Sequence, residues 1–484
     1  MPFMTRISRS LCAMWVIVLL AASQVSCASP EVTSEPAPTH TPALNWTALP
    51  IWTVLPTSTP SPTVAPTVPS PTPLPTLTAL PTHTPTPSPT PATPAQALAI
   101  VSQSRYTTET GAVHVVGLVL NGGNRNVHRV QIGGRFYDQG DHLVLQAATD
   151  AYVDILRPGE TAPFCLALEQ PPSGLDDYVL EVEGYETADE PFLGIEFIQY
   201  AALLRESSTD DTQSLTIIGE LTNINSQPAG HVQVSCAVLD ASGNIVDARM
   251  TSAYGDVLEP GDVIPFRLYL SQVNGDPDNY QILPYGRQAA GAELDQQAVL
   301  EVMGSKRGSA QPHVLSVIGE VGNLGPDSAA EVKLSASFYD VNGILVAVGS
   351  GNAWRDVLEA GGRSPFVIDL PDPPDTIDHW TTRVQGVRSD RSPVELVLEN
   401  VQTTVDQQNR VTLAGQIRNS GHEPMVSVQV GATIYDAGKQ MLAIGRTDLQ
   451  GDLVPGASMP FEFQIQATEA SDSFKLYVQG KTKE

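Results

Sequence analysis

The residues Leu258–Phe266, "LEPGDVIPF", form a phrase that recurs in altered form along the chain. The other versions are "LRPGETAPF" at 156–164, "LEAGGRSPF" at 358–366 and "LVPGASMPF" at 453–461. In this phrase proline presets φ and glycine permits φ > 0, so the sequence predicts a tight turn that leads into a strand. We expect the leucine and the phenylalanine to fill a core on either side of the turn. Repetition at a long fixed period indicates several copies of one folding unit.

Other positions keep the same register as this turn. Each turn begins 17 or 18 residues after an aspartate, and successive aspartates are 102, 100 and 96 residues apart. Each aspartate follows a glycine by 21 residues, and an asparagine stands four residues after that glycine. The recurring aspartates and turn glycines are Asp138, Asp240, Asp340 and Asp436, with Gly159, Gly261, Gly361 and Gly456. Because all copies keep these residues at turns, we interpret them as fold determinants and not as catalytic groups.

The segments between these anchors have the pattern of β-strands. "VQVSCAVLD" and "VKLSASFYD" alternate apolar with polar or small residues, and each ends at an aspartate that suits an Asx-type hairpin turn. Several short strands per hundred residues with regular turns predict an all-β chain of four tandem immunoglobulin-like β-sandwich domains. The expected boundaries are 96–189, 190–293, 294–391 and 392–484.

The repeated unit resembles the FxLYD-type domain, an immunoglobulin-like sandwich of secreted and surface-anchored bacterial proteins. The resemblance rests on the glycine-to-asparagine strand, the Tyr-Asp turn and the Leu-x-Pro-Gly turn, and it covers residues 96–484. Repeat 2 departs from it with Leu239 where the tyrosine belongs. The namesake phenylalanine position holds a small residue in every copy: Gly134, Cys236, Ala336 and Ala432. The resemblance implies extracytoplasmic display and supplies no catalytic residues.

The first 28 residues resemble a bacterial lipoprotein signal peptide. Arg6 and Arg9 precede an apolar run at 11–22, which is too short for an ordinary membrane span. The segment "QVSCAS" then places Cys27 where lipidation is expected. Ordinary cleavage after Ala28 and an uncleaved signal anchor are the alternatives. Each of the three exports the protein, and lipidation of Cys27 makes the membrane a partner.

Residues 29–95 have the composition of a disordered stalk rich in proline, threonine and serine. Residues 30–94 hold 19 of the 40 prolines of the chain. Proline fixes φ and removes backbone donors, so we expect an extended coil with neither helix nor sheet.

The formal net charge of −27 argues against binding to nucleic acid or to anionic lipid headgroups. The sequence has no G-x-S-x-G, H-E-x-x-H or C-x-x-C motif, and no metal site or cofactor is expected. The histidines His114, His128 and His142 share one repeat, but their spacing fits no ligand motif. Of the four cysteines, Cys236 is expected in a core and Cys165 at the surface.

These observations favour a non-catalytic display, adhesion or scaffold protein that binds an unidentified protein or glycan outside the cytoplasm. The alternatives are a pure spacer and a hydrolase with an unrecognised site between repeats.

Overall fold

A computed structural model describes residues 47–48, 98–188, 194–206, 213–270, 273, 277–308 and 312–482. In this part of the chain the protein is almost entirely β, with antiparallel strand pairing throughout and one short helix, α1 (Gly291–Asp295). The helix spans the expected boundary between repeats 2 and 3. No helix among these residues is long and apolar enough to cross a membrane.

The signal segment 1–28, Cys27 included, lies outside the described residues, and so does the stalk except for a two-residue strand, β1 (Thr47–Ala48). Strand β1 pairs antiparallel with residues 203–204, where no strand was expected in the stalk. The nearest prolines are Pro42 and Pro50, so Thr47 and Ala48 keep the backbone donors that pairing requires.

The strands follow the same order in each sequence repeat. Repeat 1 contains β2 (Leu98–Thr107), β3 (Val113–Asn121), β4 (Val127–Asp138), β5 (Leu143–Asp150), β6 (Ile155–Leu156), β7 (Thr161–Leu168) and β8 (Leu175–Thr187). Repeat 2 contains β9 (Ile195–Glu206), β10 (Gln213–Asn223), β11 (Ala229–Leu239), β12 (Ile245–Ser252), β13 (Val257–Leu258), β14 (Val263–Leu270) and β15 (Asn279–Gln288).

The second half of the chain repeats this order with one change. Repeat 3 contains β16 (Leu300–Arg307), β17 (Val314–Asn323), β18 (Ser328–Tyr339), β19 (Leu345–Asn352), β20 (Val357–Leu358), β21 (Arg363–Pro371) and β22 (His379–Ser389). Repeat 4 contains β23 (Leu396–Val405), β24 (Arg410–Asn419), β25 (Met425–Tyr435), β26 (Met441–Leu449), β27 (Ser458–Gln466) and β28 (Ser473–Thr482). In repeat 4 a single bridge between Met425 and Leu453 stands where the other repeats have a two-residue strand.

Each repeat forms two sheets, which we name by their strands. The front sheets are β2-β3-β7, β9-β10-β14, β16-β17-β21 and β23-β24-β27. The back sheets are β5-β4-β8, β12-β11-β15, β19-β18-β22 and β26-β25-β28, and the short strands β6, β13 and β20 also pair with β4, β11 and β18 in the first three of them. The inner faces of the front and back sheets of one repeat share a hydrophobic core, which is the packing of a β-sandwich.

A phenylalanine ring packs over a glycine at the centre of each core. Gly319 lies directly opposite Phe366 in the front sheet, and Phe366 is fully buried. A Cβ on Gly319 would lie 2.2 Å from the ring, so the ring occupies the space above the glycine. The same pairing occurs at Gly117 with Phe164, Gly219 with Phe266, and Gly415 with Phe461. The expectation that the phenylalanines of the repeated phrase fill cores is confirmed.

A buried asparagine holds the repeated turn in place. The side-chain amide of Asn121 donates to the carbonyl of Leu156 at 2.9 Å, and Gly159 donates its N–H to the Asn121 carbonyl at 2.7 Å. Gly159 has a φ of +82°, a conformation in which glycine is favoured. Equivalent bonds join Asn223 to Leu258, Asn323 to Leu358 and Asn419 to Leu453.

Candidate functional site: the junctions between repeats

The repeated aspartates lie in separate hairpin turns. Oδ1 of Asp340 accepts hydrogen bonds from the N–H groups of Asn342 and Ile344 at 2.9 and 2.8 Å. Because these bonds favour the ionised form, the pKa of the Asp340 carboxyl lies below its usual value. Asp138, Asp240 and Asp436 accept the corresponding bonds in their own turns. The four carboxylates therefore do not converge on a common site.

The three histidines of repeat 1 also stay apart. His128 contacts Glu186 at 3.2 Å, and His142 contacts Asp138 at 3.2 Å. His114 contacts a tyrosine hydroxyl instead. Among the residues that the structure describes, no group of three His, Cys, Asp or Glu side chains is arranged to hold a metal ion.

The polar contacts that recur along the chain lie where successive repeats meet. The outer face of each front sheet packs on the outer face of the next back sheet: β2, β3 and β7 contact β12, and β9 and β10 contact β19. The same kind of contact joins β17 to β26. We call these contacts junction 1–2, junction 2–3 and junction 3–4.

Junctions 2–3 and 3–4 are each centred on a tyrosine and a buried glutamate. Tyr339 donates its hydroxyl to Glu220 at 2.6 Å, and Tyr435 donates to Glu320 at 2.6 Å. The glutamates are only 4% and 5% exposed. A hydrogen bond to a charged group contributes about 1.5–3 kcal/mol, so each pair favours the docked repeats.

The tyrosine is the residue before the repeated aspartate, and the glutamate follows the repeated glycine of the preceding repeat. Burial, and then the bond to Glu320, raises the pKa of Tyr435 to about 12, so its hydroxyl keeps its proton and donates. Tyr477 also donates to Glu320, and Arg363 Nη1 lies 3.9 Å from its other oxygen.

Junction 1–2 replaces this polar pair by two leucines. Leu118 stands at the glutamate position and Leu239 at the tyrosine position. Both belong to one apolar cluster, together with Cys165 and Ile245. The absence of the tyrosine from repeat 2 is therefore matched by the absence of the glutamate from repeat 1.

Backbone contacts repeat around these central pairs. The N–H of Ile245 donates to Ser102 Oγ at 3.1 Å, and the N–H of Leu345, at the same register, donates to Gln199 Oε1 at 3.0 Å. On the closing strands, Gln385 accepts from the N–H of Asp256 at 2.5 Å, and Gln479 accepts from the N–H of Asp356 at 3.1 Å. The first of these contacts thus recurs in junctions 1–2 and 2–3, and the second recurs in junctions 2–3 and 3–4.

Junction 1–2 also contains a polar cluster that no other junction repeats. The Tyr106 hydroxyl donates to Asp247 Oδ1 at 3.0 Å and lies 3.1 Å from His114 Nδ1. Because a phenol has one proton, His114 donates from Nδ1 in this arrangement. Asp247 is fully buried and its Oδ2 has no partner. Burial therefore raises the pKa of the Asp247 carboxyl to about 6.

One expectation from the aligned repeats is wrong at these junctions. Cys165 was expected at the surface, but it is only 7% exposed because it packs in junction 1–2. Trp354, at junction 3–4, is partly exposed. Its ring lies against Gly431 of repeat 4, where a Cβ would come within 2.9 Å of it. Arg446 lies 5.2 Å from the Trp354 ring centroid.

Two clefts of similar volume lie at junction 2–3, in addition to a smaller one of about 240 Å³. One, of about 500 Å³, is lined by His231, Asp256, Glu293 and Lys333 among others. The other, of about 510 Å³, contains Glu220, Tyr339, Arg383 and several serine and threonine hydroxyls. Their linings mix charged groups and hydroxyls, which suits a polar ligand or a protein surface more than an apolar small molecule.

Comparison with known proteins gives no family for this chain. No protein-family model matches it, and no curated protein matches it. A solved structure with some likeness is the native conformation of E. coli alpha-2-macroglobulin, at 9% identity and a TM-score of 0.11. The alignment covers 78% of this chain and 26% of the length of that one. A likeness this low carries no argument about fold or function.

The junction pairs were missed by reading each repeat alone. The sequence pattern assigns Tyr339 and Tyr435 to their own turns, although their hydroxyls donate to the preceding repeats. The sequence contained a signal, because the two positions change together. Leu118 and Leu239 are both leucine, whereas the equivalent positions of the next pair of repeats hold Glu220 and Tyr339. Comparing one repeat with the next at these two positions would have revealed it.

Proposed function

We propose that the protein is a non-catalytic extracytoplasmic display, adhesion or scaffold protein that binds an unidentified protein or glycan. In this proposal Cys27 carries the lipid that anchors it to the membrane, and residues 29–95 are a stalk. The repeats at 96–189, 190–293, 294–391 and 392–484 are four tandem immunoglobulin-like domains.

The observation that supports this proposal is the repeated junction. Glu220 and Tyr339 pair only when repeats 2 and 3 are docked, and the same holds for Glu320 and Tyr435. A hydrogen bond to a charged group makes a net contribution of about 1.5–3 kcal/mol, so each pair favours docking. Such junctions favour a fixed orientation of each repeat relative to the next, which a scaffold requires. The clefts beside junction 2–3 favour a ligand-binding role over that of a pure spacer.

The polar cluster at junction 1–2 does not favour a hydrolase. Asp247 is fully buried, and His114 and Cys165 are 8% and 7% exposed. Burial also raises the pKa of the Cys165 thiol to about 11, which leaves little of the nucleophilic thiolate at neutral pH. Purified residues 29–484 should therefore leave a broad panel of ester, peptide and glycoside substrates intact. Turnover that is lost in Asp247→Asn would favour the hydrolase instead.

Mass spectrometry of the mature N-terminus tests the anchor. We expect a diacylglyceryl group on Cys27 and release of the Cys27→Ala chain into the medium. Partners would then be sought by crosslinking at the same cell surface. An unmodified N-terminus at Ser29, with the wild-type and Cys27→Ala chains both released, would contradict the anchor and indicate a secreted binder.

A further inference from the structure

The back sheet of repeat 1 carries the junction residues, yet no described repeat docks on its outer face. Leu143 of this sheet is 50% exposed and Val179 is 47% exposed. Ile245 and Leu345, at the register of Leu143 in repeats 2 and 3, are 0% and 3% exposed because the preceding front sheet covers them. Leu143 thus occupies a position that is buried in the two following repeats of the same chain.

Repeat 1 also keeps the junction tyrosine. Tyr137 stands at the register of Tyr339 and Tyr435, and within the described residues its hydroxyl makes no hydrogen bond. The fold does not require a tyrosine there, because Leu239 occupies the position in repeat 2 without disturbing its sheet. Where the tyrosine occurs in repeats 3 and 4, it contacts a carboxylate of the preceding front sheet.

The front sheet of repeat 4 presents the complementary groups. Gln416 is exposed and lies directly opposite Glu399, whose Oε1 accepts a hydrogen bond from Arg418 Nε at 2.7 Å. In repeat 2 the same register holds Gln199 opposite Glu220. That pair accepts the Tyr339 hydroxyl and the Leu345 N–H across junction 2–3. Repeat 4 therefore offers the same two side-chain types. Its glutamate lies on the first strand of the front sheet and its glutamine on the second, which is the reverse of repeat 2.

We propose that the chain associates head to tail, with the front sheet of repeat 4 of one copy docking on the back sheet of repeat 1 of another. Tyr137 donates to the Gln416 and Glu399 pair, and Leu143 is covered as Leu345 is covered in junction 2–3. The two contacting faces differ, so the contact is heterologous and can extend beyond a dimer. Because the chain carries a formal charge of −27, association strengthens as salt screens the repulsion between copies.

Sedimentation velocity over micromolar to submillimolar concentrations tests this contact, with residues 29–484, which contain the compact unit Trp46–Glu484. We expect the weight-average mass of the wild-type chain to rise with concentration, and more steeply at higher salt. Leu143→Asp and Gln416→Arg should each abolish the rise when studied alone. Both substituted side chains are exposed, so unchanged thermal unfolding is the check on folding. Val341→Asp, at a position 79% exposed in a turn of repeat 3, is the matched control and should associate as the wild type does.

A mixture of the two deficient variants gives the sharpest outcome. The Leu143→Asp chain retains an intact front sheet and the Gln416→Arg chain an intact back sheet, so together they should form dimers and nothing larger. A wild-type chain that stays monomeric at every concentration and salt would overturn the proposal. If removing residues 29–94 from that chain then allowed it to associate, the stalk of the same chain would be the occupant of this face instead.

Discussion

Replacing both partners of the Glu220–Tyr339 pair by leucine should recover much of the stability that either single replacement loses. The pair lies at the centre of junction 2–3, where the Tyr339 hydroxyl donates to Glu220 at 2.6 Å. Gln199 donates to the second carboxylate oxygen at 3.0 Å. Junction 1–2 already has leucine at both positions, Leu118 and Leu239, so the fold accommodates an apolar version of the contact.

The magnitudes follow from what each substitution leaves behind. Glu220→Leu leaves the Tyr339 hydroxyl without its acceptor, which costs about 1–3 kcal/mol. Tyr339→Leu leaves a carboxylate that is 4% exposed without one donor, which costs roughly 1.5–3 kcal/mol in addition to lost packing. The double variant removes both the Tyr339 hydroxyl and the Glu220 carboxylate, so neither remains without its partner. We therefore expect a coupling free energy of about 1–3 kcal/mol between the two positions.

Hydrogen exchange read by mass spectrometry measures this coupling locally. The Leu345 N–H donates across the junction to Gln199, so its exchange reports the opening of junction 2–3. Global unfolding is less suitable, because a chain of several repeats need not unfold in two states. Additive effects to within about 0.5 kcal/mol would refute the reasoning. Tyr137→Leu, which removes a tyrosine that has no glutamate partner, is the control and should change junction 2–3 by less than about 0.5 kcal/mol.

Three further predictions concern single positions. Gly319→Ala places a methyl group 2.2 Å from the opposing phenylalanine ring and should cost about 1–3 kcal/mol in thermal unfolding. Gly184→Ala, with no atom within 4 Å of the added Cβ, should change stability by less than about 0.5 kcal/mol. The pKa of the Asp247 carboxyl is raised from 3.8 to about 6, so the folded chain keeps this proton at a pH where the unfolded chain has released it. The free energy of unfolding therefore falls by about 3 kcal/mol as the pH rises from 3.8 to about 6. The stability of Asp247→Asn relative to the wild type should therefore increase from pH 4 to pH 7, and a flat difference would contradict the buried carboxylate. Cys165 and Cys236, both buried with raised thiol pKa, should resist alkylation in the folded chain of residues 29–484 and react on unfolding; rapid labelling of the folded chain would count against their burial.

The β-sheet class and the positions of the turns could be predicted because their signals are local and repeated. A Leu-x-Pro-Gly turn and a strand of alternating polarity depend on a few neighbouring residues, and several copies in register remove ambiguity. Phe366 and its counterparts were expected in cores for the same reason, and they are buried.

The junctions could not be predicted in this way, because a contact between repeats depends on which outer faces meet. An alignment of the repeats treats the residues in one column as equivalent, although their neighbours in the structure differ. Cys165 shares a column with Arg267, yet only Cys165 packs against junction 1–2. The residues that differ between copies were therefore the informative ones for the junctions.

Distances between spin labels in successive repeats test the repeated junction most directly. Ala241, Val341 and Ala437 occupy the same exposed turn position in repeats 2, 3 and 4. Cysteine replacements in the pairs 241 with 341 and 341 with 437 can carry labels in residues 29–484, because the two native cysteines of that segment, Cys165 and Cys236, are buried. Two narrow and similar distance distributions are expected if junctions 2–3 and 3–4 hold the repeats in the same way. Broad distributions, typical of domains on flexible linkers, would contradict the repeated junction and the scaffold built on it.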